Sequence, residues 1–436
     1  MSTLIVRPSQ KLSGQVSLPG DKSISHRAII FGSIAEGVTR VENLLEGEDV
    51  RCTIDIMRAM GVKIHKKGGL WRVQGKGIEG LSEPSKILYC GNSGTTLRLM
   101  TGFLSGLSFE VMMTGDASLN KRPMERVMEP LKAMGAKIEE IVTARGRFIR
   151  VKGGTLKGRA FQIPVASAQL KSALLLAGLT SGQKVSVKEP TKSRDHSERM
   201  LKAFGADIRV QGMKVTLVPG RRLKAQKVIV PGDFSSAAFF LVAALISQDP
   251  LTKIVVRNVG LNETRVGALE VLKKMGGRLR VFNKRIICGE PVGDIEARAS
   301  SLKGTTIHGK ILPRLIDEVP ILCVAAAVAK GRTLIRDAGE LRIKESDRIR
   351  ALAAELPHFG VEVKEFRDGL EIRGHESIAG GRGQSYGDHR MAMSLAVLGT
   401  VARGITTVDD VDCIATSFPT FAALLKKVGG KVAARG

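Results

Sequence analysis

The sequence predicts an α/β protein built from six similar α/β units, three in each half of the chain. Two runs, Leu18–Ala28 and Val230–Ala238, open alike, with Pro-Gly-Asp, small hydroxyl residues and then a long apolar stretch. In addition, six helix-like segments end in a glycine followed by strand-like residues, at Gly61, Gly135, Gly205, Gly276, Gly360 and Gly429. These glycines lie 74, 70, 71, 84 and 69 residues apart, which indicates internal repeats. Glycine is the usual left-handed residue after a helix, and the branched residues beyond it favour strands.

Each Pro-Gly-Asp run predicts a helix start, because Asp or Ser ahead of an apolar run caps the first turn. The first copy carries Lys22 and Arg27, whereas the second copy, Pro231–Ala238, carries no basic residue. A helix N-terminus has a partial positive charge, so two added cations predict an anion site. We therefore expect the first copy to bind an anion and the second to be structural.

Length and composition indicate two domains and a cytoplasmic protein. A chain of 436 residues with 43% hydrophobic content can bury two good-sized cores. The longest apolar runs, 173–179 and 237–246, are too short to span a membrane, and the N-terminus lacks a signal-peptide layout. The five cysteines are odd in number and show no paired spacing, which favours reduced thiols.

The net charge of +26 fits a nucleic-acid binder, an enzyme of small anions or simply a cationic surface. Aromatic residues make up only 4% of the chain, so few side chains could stack on single-stranded bases. The basic residues are also dispersed through all six units. We therefore expect no nucleic acid as the main partner.

Several familiar functional patterns are absent or lack their context. The run Gly75–Gly80 matches G-x-G-x-x-G, but the residues after it do not open a long helix, so we predict a loop. The sequence has no G-x-x-x-x-G-K-[ST] loop and no G-x-S-x-G elbow. Its seven histidines show no H-x-x-x-H spacing, which argues against a metal site built by the protein.

Polar segments precede several apolar helices. In Gly91–Arg98, two glycines and four small polar residues allow backbone N–H groups to approach an anion. Arg122 stands before a predicted helix-starting proline, a position suited to a bidentate anion contact. Gln169 and Lys171 are expected in the first turn of another helix, facing its mouth. For each segment alone, an ordinary capped or solvated helix start is the alternative.

Three further polar segments have the same arrangement: Ser193–Arg199, Arg342–Arg348 and Gly387–Met393. On a helix, both Lys344 and Glu345 would share a face with Arg348. Seven polar segments ahead of apolar helices are more than we expect if each were only a solvated helix start. If they converge, their cations would bind a multiply charged anion.

These segments carry a resemblance to a known family. Leu18–Ala28, Gly91–Leu99, Arg122-Pro123-Met124, Ser167–Ser172, Pro231–Ala238, Lys344–Ile349 and Asp388–Met393 resemble the 5-enolpyruvylshikimate-3-phosphate synthases, in order, from about Leu4 to about Phe421. The resemblance implies transfer of the enolpyruvyl group of phosphoenolpyruvate to the 5-hydroxyl of shikimate 3-phosphate, with release of phosphate. It also implies a cytoplasmic monomer of the shikimate pathway, without cofactor, metal, nucleic acid or membrane, that is a target of glyphosate.

The resemblance implies two similar domains, each of three βαβαββ units in an inside-out α/β barrel, with an active-site cleft between them. One domain would comprise residues 1–18 plus 233–436 and carry Asp317, Glu345 and Arg390. The other, residues 19–232, would carry the shikimate 3-phosphate site. Hinges are expected near 19–20 and 231–232.

The resemblance also assigns roles to individual residues. Asp317 would accept the proton of the attacking hydroxyl, and Glu345 would handle the proton at the methylene carbon with help from Lys22. Lys22, Ser23 and Arg27 would lie at the junction of both substrates. The residues implied for shikimate 3-phosphate are Ser167, Ala168, Gln169, Ser193 and Arg194. Those implied on the phosphoenolpyruvate side are Asn92, Gly94, Arg122, Lys344, Arg348 and Arg390, with Gln169 close by.

Two departures from the family pattern indicate its divergent bacterial, class II-like branch. Thr416 stands where many members have Lys, and Leu99 stands where better-known glyphosate-sensitive members have Pro. The alternative enzyme is the sister family of UDP-N-acetylglucosamine enolpyruvyl transferases. Members of that family have Lys-Asn in place of Lys22-Ser23, and most have a Cys in the loop that reads Thr114–Lys121 here. A cationic binding protein without turnover is the alternative from another class, and the presence of Lys22, Asp317 and Glu345 argues against it.

Overall fold

The computed structural model describes residues 2–144 and 146–435, which form 24 strands and 12 α-helices. The strands are β1 Thr3–Arg7, β2 Ser13–Ser17, β3 Val38–Glu42, β4 Lys63–Lys67, β5 Leu70–Gln74, β6 Leu88–Tyr89, β7 Glu110–Thr114, β8 Lys137–Thr143, β9 Gly146–Lys152, β10 Arg159–Gln162, β11 Val185–Lys188, β12 Asp207–Gln211, β13 Lys214–Val218, β14 Lys227–Ile229, β15 Lys253–Gly260, β16 Arg278–Ile287, β17 Glu290–Arg298, β18 Thr306–Ile307, β19 Arg332–Ile335, β20 Glu362–Phe366, β21 Gly369–Arg373, β22 Arg382–Gln384, β23 Thr406–Asp409 and β24 Lys431–Arg435.

The α-helices are α1 Lys22–Ile34, α2 Glu48–Ala59, α3 Gly94–Ser105, α4 Glu125–Ala133, α5 Ala168–Ser181, α6 His196–Ala203, α7 Phe234–Leu245, α8 Gly267–Lys274, α9 Val319–Ala327, α10 Arg348–Glu355, α11 His389–Gly399 and α12 Phe421–Lys427. Short 3-10 turns occur at Leu119–Lys121, Gly309–Arg314, Ile316–Glu318, Gly339–Ile343, Leu356–Phe359 and Val411–Thr416. Within the described residues, no helix is long and apolar enough to cross a membrane.

The chain divides into two compact units. The central unit comprises Gly20–Val230 together with the hairpin tip Ile287–Glu290. The discontinuous unit comprises the chain up to Pro19, the segment Pro231–Ile286 and the chain from Pro291 onward. Each unit has its own cluster of buried apolar side chains.

Each unit contains three four-stranded sheets of one topology. The central unit has the strand orders β14-β3-β5-β4, β6-β7-β9-β8 and β10-β11-β13-β12. The discontinuous unit has β16-β17-β15-β2, β18-β19-β21-β20 and β22-β23-β1-β24. In β6-β7-β9-β8, for example, β6 and β7 are parallel, and β9 is antiparallel to both of its neighbours. The predicted α/β fold of six units, three in each half, is confirmed.

The six repeat glycines all have a positive φ, from 78° at Gly360 to 102° at Gly135 and Gly429. Five of them stand two residues after the last residue of an α-helix, whereas Gly360 directly follows the 3-10 turn Leu356–Phe359. An L side chain is strained in this conformation, so glycine is favoured where each helix turns into its strand. The local prediction from the repeat is therefore correct.

Apolar helices form the interior of each unit, and their first turns carry the polar segments. All residues of α7 and of α9 are buried, as expected for helices that are apolar on every side. In the central unit, α1, α3 and α5 are largely buried. The sheets have a more exposed face, as in β4, where only Ile64 is buried.

Two local predictions differ from the structure. Residues 344–347 are not helical, because Asp347 caps α10 by accepting a hydrogen bond from the backbone N–H of Arg350 at 3.0 Å. Pro123 does not start a helix, since α4 begins two residues later, at Glu125. The segment Gly75–Gly80 is a loop, as predicted.

Candidate active-site residues on two units

The three buried helices of the central unit begin with capped first turns. Asp21, Ser93 and Ser167 each accept a hydrogen bond from the backbone N–H three residues ahead, at 2.9, 3.1 and 3.3 Å. The two serine caps add no charge to the positive ends of α3 and α5. The starts of α3 and α5 can therefore hold an anion.

Lys22, the first residue of α1, forms an ion pair with Asp49 at the start of α2. The distance between Lys22 Nζ and Asp49 Oδ2 is 2.9 Å, and the two side chains are only 17% and 8% exposed. The carboxylate holds the ammonium group in place near the surface of the unit. Sequence analysis missed Asp49, which lies 27 residues away with no local signal that links the two.

Arg27 is buried beneath the same helix start. Its Nε donates to Ser197 Oγ and its Nη2 to Ser172 Oγ, both at 2.7 Å, and its Nη1 donates to the carbonyl of Ser23 at 2.9 Å. Burial lowers the pKa of Arg27 to about 10. The guanidinium is thus charged at neutral pH and fixed in orientation by neutral oxygens.

Asn92 and Arg122 are brought together at the start of α3. Arg122 Nη2 donates to Asn92 Oδ1, and Asn92 Nδ2 donates to Asp116 Oδ2 at 2.7 Å. A Cβ placed on Gly94 would lie 3.3 Å from Arg122 Nη1 and 3.1 Å from Arg98 Nη1. The glycine therefore leaves space between two guanidinium groups, where an anion can approach the backbone.

Gln169 is linked to the same group through Arg98. Arg98 Nη1 donates to Gln169 Oε1 at 2.7 Å, and Gln169 Nε2 donates to Thr95 Oγ1 at 3.1 Å. The first turns of α3 and α5 are thereby joined by side chains. The sequence analysis named the glycine-rich segment Gly91–Arg98 but did not predict a role for Arg98.

Lys171 does not face the mouth of α5, contrary to the prediction. Its side chain is 1% exposed, and its Nζ lies 2.7 Å from both Glu189 Oε2 and Glu198 Oε1. Burial opposes its charge, but these two carboxylates outweigh burial and raise the pKa of Lys171. Glu189 Oε2 also accepts from the backbone N–H of Ser193 at 3.4 Å, so the buried triad supports the loop that carries Ser193.

His196, two residues after the half-buried Arg194, forms a buried ion pair with Glu290 in the central unit. His196 Nδ1 lies 2.8 Å from Glu290 Oε1, and both side chains are 3% exposed. Burial opposes the imidazolium, but Glu290 outweighs it and raises the pKa of His196 above its ordinary value of 6.5. His196 therefore stays protonated at a higher pH than a free histidine.

This pair predicts a pH-dependent contribution to stability. A raised folded-state pKa means that the stabilisation is fully present below pH 6.5 and is lost as the pH rises through the raised value. We expect Glu290→Gln to lower the free energy of unfolding by about 2 kcal/mol at the acidic end, and by less as the pH increases. Urea unfolding of both proteins over a pH series measures this; a difference that is independent of pH would contradict it.

In the discontinuous unit, Arg348 joins three carboxylates. Its Nε lies 2.7 Å from Asp388 Oδ2, its Nη2 lies 2.7 Å from Glu345 Oε2, and its Nη1 lies 3.6 Å from Asp317 Oδ1. Burial opposes the charge of Arg348, but Asp388 and Glu345 outweigh it and raise its pKa further. Arg348 also holds the pKa of the buried Asp388 below its usual value. One fixed cation thus aligns two candidate proton-transfer groups, Asp317 and Glu345.

Lys344 and Arg390 complete this cluster. Lys344 Nζ lies 3.4 Å from Asp317 Oδ1, so Lys344 pairs with Asp317 and does not share a helical face with Arg348. Arg390 Nη1 donates to the backbone carbonyl of Asp317 at 3.0 Å and lies 3.6 Å from Glu318 Oε1. All the site residues predicted for this half of the chain are therefore brought together.

The second Pro-Gly-Asp copy has no basic residue of its own, but the guanidinium of Arg265 from another segment contacts it. Asp233 caps α7, and the next serine, Ser235, donates to Glu318 Oε1 at 2.5 Å. Arg265 donates from Nη1 to Glu318 Oε2 at 2.7 Å and from Nη2 to Ser235 Oγ. Sequence analysis missed Arg265 and Glu318, because they come from segments 30 and 83 residues beyond Ser235.

The two departures from the family pattern, Leu99 and Thr416, lie in or beside helices. Leu99 is fully buried in α3. Thr416 lies next to α11, with its Oγ1 3.3 Å from His389 Nδ1 and donating to the carbonyl of Cys413 at 2.7 Å. A short hydroxyl side chain therefore lies beside the start of α11, at the position where the family pattern has a lysine.

Comparison with known proteins identifies the family. Residues 6–425 match the family model for EPSP synthase (3-phosphoshikimate 1-carboxyvinyltransferase). The chain belongs to the EPSP synthase family. The 3-phosphoshikimate 1-carboxyvinyltransferase of Geotalea uraniireducens is 51% identical over 430 residues, which cover 98% of this chain and 99% of that protein. That of Geobacter metallireducens is 50% identical over 431 residues, covering 99% and 100%.

Solved structures of the family agree with the fold. The EPSP synthase from Acinetobacter baumannii, solved at 2.37 Å, has a TM-score of 0.88 and 44% sequence identity, and all of each chain is covered. A second structure of EPSP synthase from the same organism has a TM-score of 0.87 and 43% identity. The resemblance found in the sequence is confirmed, and with it the enzyme class, an enolpyruvyl transferase of the shikimate pathway.

Proposed function

We propose that the chain transfers the enolpyruvyl group of phosphoenolpyruvate to the 5-hydroxyl of shikimate 3-phosphate, with the roles divided between the two units. The observation that carries this proposal is the contact of both Asp317 and Glu345 with the buried guanidinium of Arg348. Addition of a hydroxyl to a vinyl carbon needs one group to take a proton and another to give one. A fixed cation between two such groups also counters negative charge that develops in the transition state.

The central unit is proposed to hold shikimate 3-phosphate. Its phosphate is a dianion that suits the serine-capped first turns of α3 and α5 and the half-buried Arg194. The buried Arg27, held by three neutral oxygens, supplies a second fixed positive charge. The residues assigned to this substrate are Lys22, Ser23, Arg27, Ser167, Ala168, Gln169, Ser193 and Arg194.

Phosphoenolpyruvate is proposed to contact residues of both units. Guanidinium groups bind carboxylate and phosphate oxygens in bidentate geometry, which suits a ligand that carries both groups. The central unit would contribute Arg122 with Asn92 and the open space at Gly94. The discontinuous unit would contribute Lys344, Arg348 and Arg390. As the family resemblance implies, we propose that both units supply ligands to the substrates and that the chain has hinges near residues 19–20 and 231–232.

The proposed reaction has two steps. In the first, the hydroxyl oxygen bonds to C2 of phosphoenolpyruvate, Asp317 takes the hydroxyl proton, and Glu345, assisted by Lys22, delivers a proton to the methylene carbon C3. In the second, the bond between C2 and the phosphate oxygen breaks, and a proton returns from C3 to Glu345. Phosphate leaves with the proton that Asp317 took from the hydroxyl, and the double bond of the enolpyruvyl group is restored.

The remaining assignments are also proposals. We propose that the enzyme acts as a monomer in the cytoplasm, since its five cysteines are free thiols and its relatives are bacterial biosynthetic enzymes. Its reaction uses acid, base and cationic side chains alone, so we propose that it needs no cofactor.

A phosphate-release assay tests the proposed function. We expect phosphate to appear from phosphoenolpyruvate only when shikimate 3-phosphate is present, and UDP-N-acetylglucosamine not to replace it. Turnover with the UDP-sugar, or none with either acceptor, would overturn the assignment.

A further inference from the structure

At the second Pro-Gly-Asp copy, a buried cation, Arg265, is neutralised by the carboxylate of Glu318. In the first copy, Lys22 at the start of α1 pairs with Asp49, and both Lys22 and Ser23 are proposed substrate ligands. In the second, the corresponding serine, Ser235, and the guanidinium of Arg265 both bind the carboxylate of Glu318. The side chain of Glu318 is fully buried and that of Arg265 is 4% exposed. A charged group at this depth is costly unless it is paired and hydrogen-bonded, as Glu318 and Arg265 are.

Glu318 directly adjoins two residues of the proposed reaction. It follows Asp317 in the sequence, and its Oε1 lies 3.6 Å from Arg390 Nη1. The same Nη1 donates to the backbone carbonyl of Asp317 at 3.0 Å. Arg390 Nη1 thus lies between the backbone carbonyl of Asp317 and the carboxylate of Glu318.

We infer that Glu318 is a positioning residue for phosphoenolpyruvate binding: held by Ser235 and Arg265, its buried carboxylate orients Arg390. The inference rests on the proposed role of Arg390 in binding phosphoenolpyruvate. It extends that role to three residues outside the proposed set of substrate ligands. In the discontinuous unit, the start of α7 thus supports a substrate ligand. In the central unit, the corresponding start of α1 itself supplies proposed substrate ligands.

The test is the steady-state kinetics of Glu318→Gln, which keeps the side-chain shape and removes its charge. We expect the KM for phosphoenolpyruvate to rise at least about tenfold, with kcat within about threefold and the Kd for shikimate 3-phosphate unchanged. Glu355→Gln is the matched control, because Glu355 is a buried carboxylate of the same unit that bonds Tyr386 and the backbone N–H of Gln384. It should lower the Tm without changing that KM.

Chemical rescue separates charge from shape. Glu318→Ala should recover affinity for phosphoenolpyruvate when formate is added and not when the neutral isostere formamide is added. If the variants of Glu318 do not fold, Ser235→Ala provides the test, because it removes one hydrogen bond to the Glu318 carboxylate. We expect this variant to raise the KM for phosphoenolpyruvate about threefold.

An unchanged KM in a folded Glu318→Gln enzyme, or an equal rise in Glu355→Gln, would overturn the inference. So would an unchanged KM in Ser235→Ala where the variants of Glu318 do not fold. Failure of the proposed function is distinguishable from these results, because the wild-type protein itself would then release no phosphate with shikimate 3-phosphate.

Discussion

Lys22→Met is expected to reduce kcat by at least about 100-fold, as for loss of a charged group that acts in proton transfer. Lys22 is held by Asp49 at 2.9 Å on the first turn of α1, so the substitution removes the ammonium group together with its ion pair to Asp49. Glu345→Ala should reduce kcat by a similar factor, because the C3 methylene would lose its proton donor. Both are measured by phosphate release at saturating substrates.

The control for charge is Lys67→Met, at the exposed end of β4. Because the chain carries a net charge of +26, any lysine contributes to its general attraction for anions. We expect Lys67→Met to retain nearly full turnover. Equal losses from Lys22→Met and Lys67→Met would show that bulk charge, and not the placement of Lys22, carries the activity.

Arg348→Gln is expected to have the largest effect on stability. The side chain of Arg348 is 1% exposed, and it neutralises the fully buried Asp388. Removing one partner of a buried ion pair costs about 3–5 kcal/mol, which for a unit of this size lowers the Tm by roughly 10 °C. Turnover should fall as well, because Asp317 and Glu345 lose the cation between them. Calorimetric unfolding and phosphate release measure the two effects.

Arg350→Gln is the matched control, since Arg350 is an exposed arginine on the same helix, two residues further on. We expect its Tm and its turnover to stay close to the wild-type values. A Tm for Arg348→Gln that also matches the wild type would mean that Arg348 is not the main counter-ion of Asp388.

The sequence predicted those features that depend on neighbouring residues. The repeat glycines have a positive φ because each ends a helix within its own unit, and Asp21 and Asp233 cap helices because the apolar run follows at once. The candidate residues of the discontinuous unit also come together as expected, since each lies at or beside the first turn of a buried helix. Local chemistry suffices for such predictions.

Contacts between distant segments could not be predicted in this way. Lys171 was expected at the mouth of α5, but its ammonium group is neutralised by Glu189 and Glu198, which lie 18 and 27 residues away in the sequence. Likewise, the second helix start lacks a basic residue of its own and obtains Arg265 from another segment. Which buried charge meets which depends on the packing of the units, and no local pattern records it.

The central claim, that the two units have separate roles in one reaction, is tested most directly by calorimetric titration of shikimate 3-phosphate into two variants. Arg194→Ala removes a proposed phosphate ligand of the central unit, and Glu345→Ala removes the proposed proton donor of the discontinuous unit. We predict that both variants lose turnover, but that only Arg194→Ala loses affinity for shikimate 3-phosphate, by at least about tenfold. Wild-type affinity in Arg194→Ala together with loss of affinity in Glu345→Ala would contradict the account.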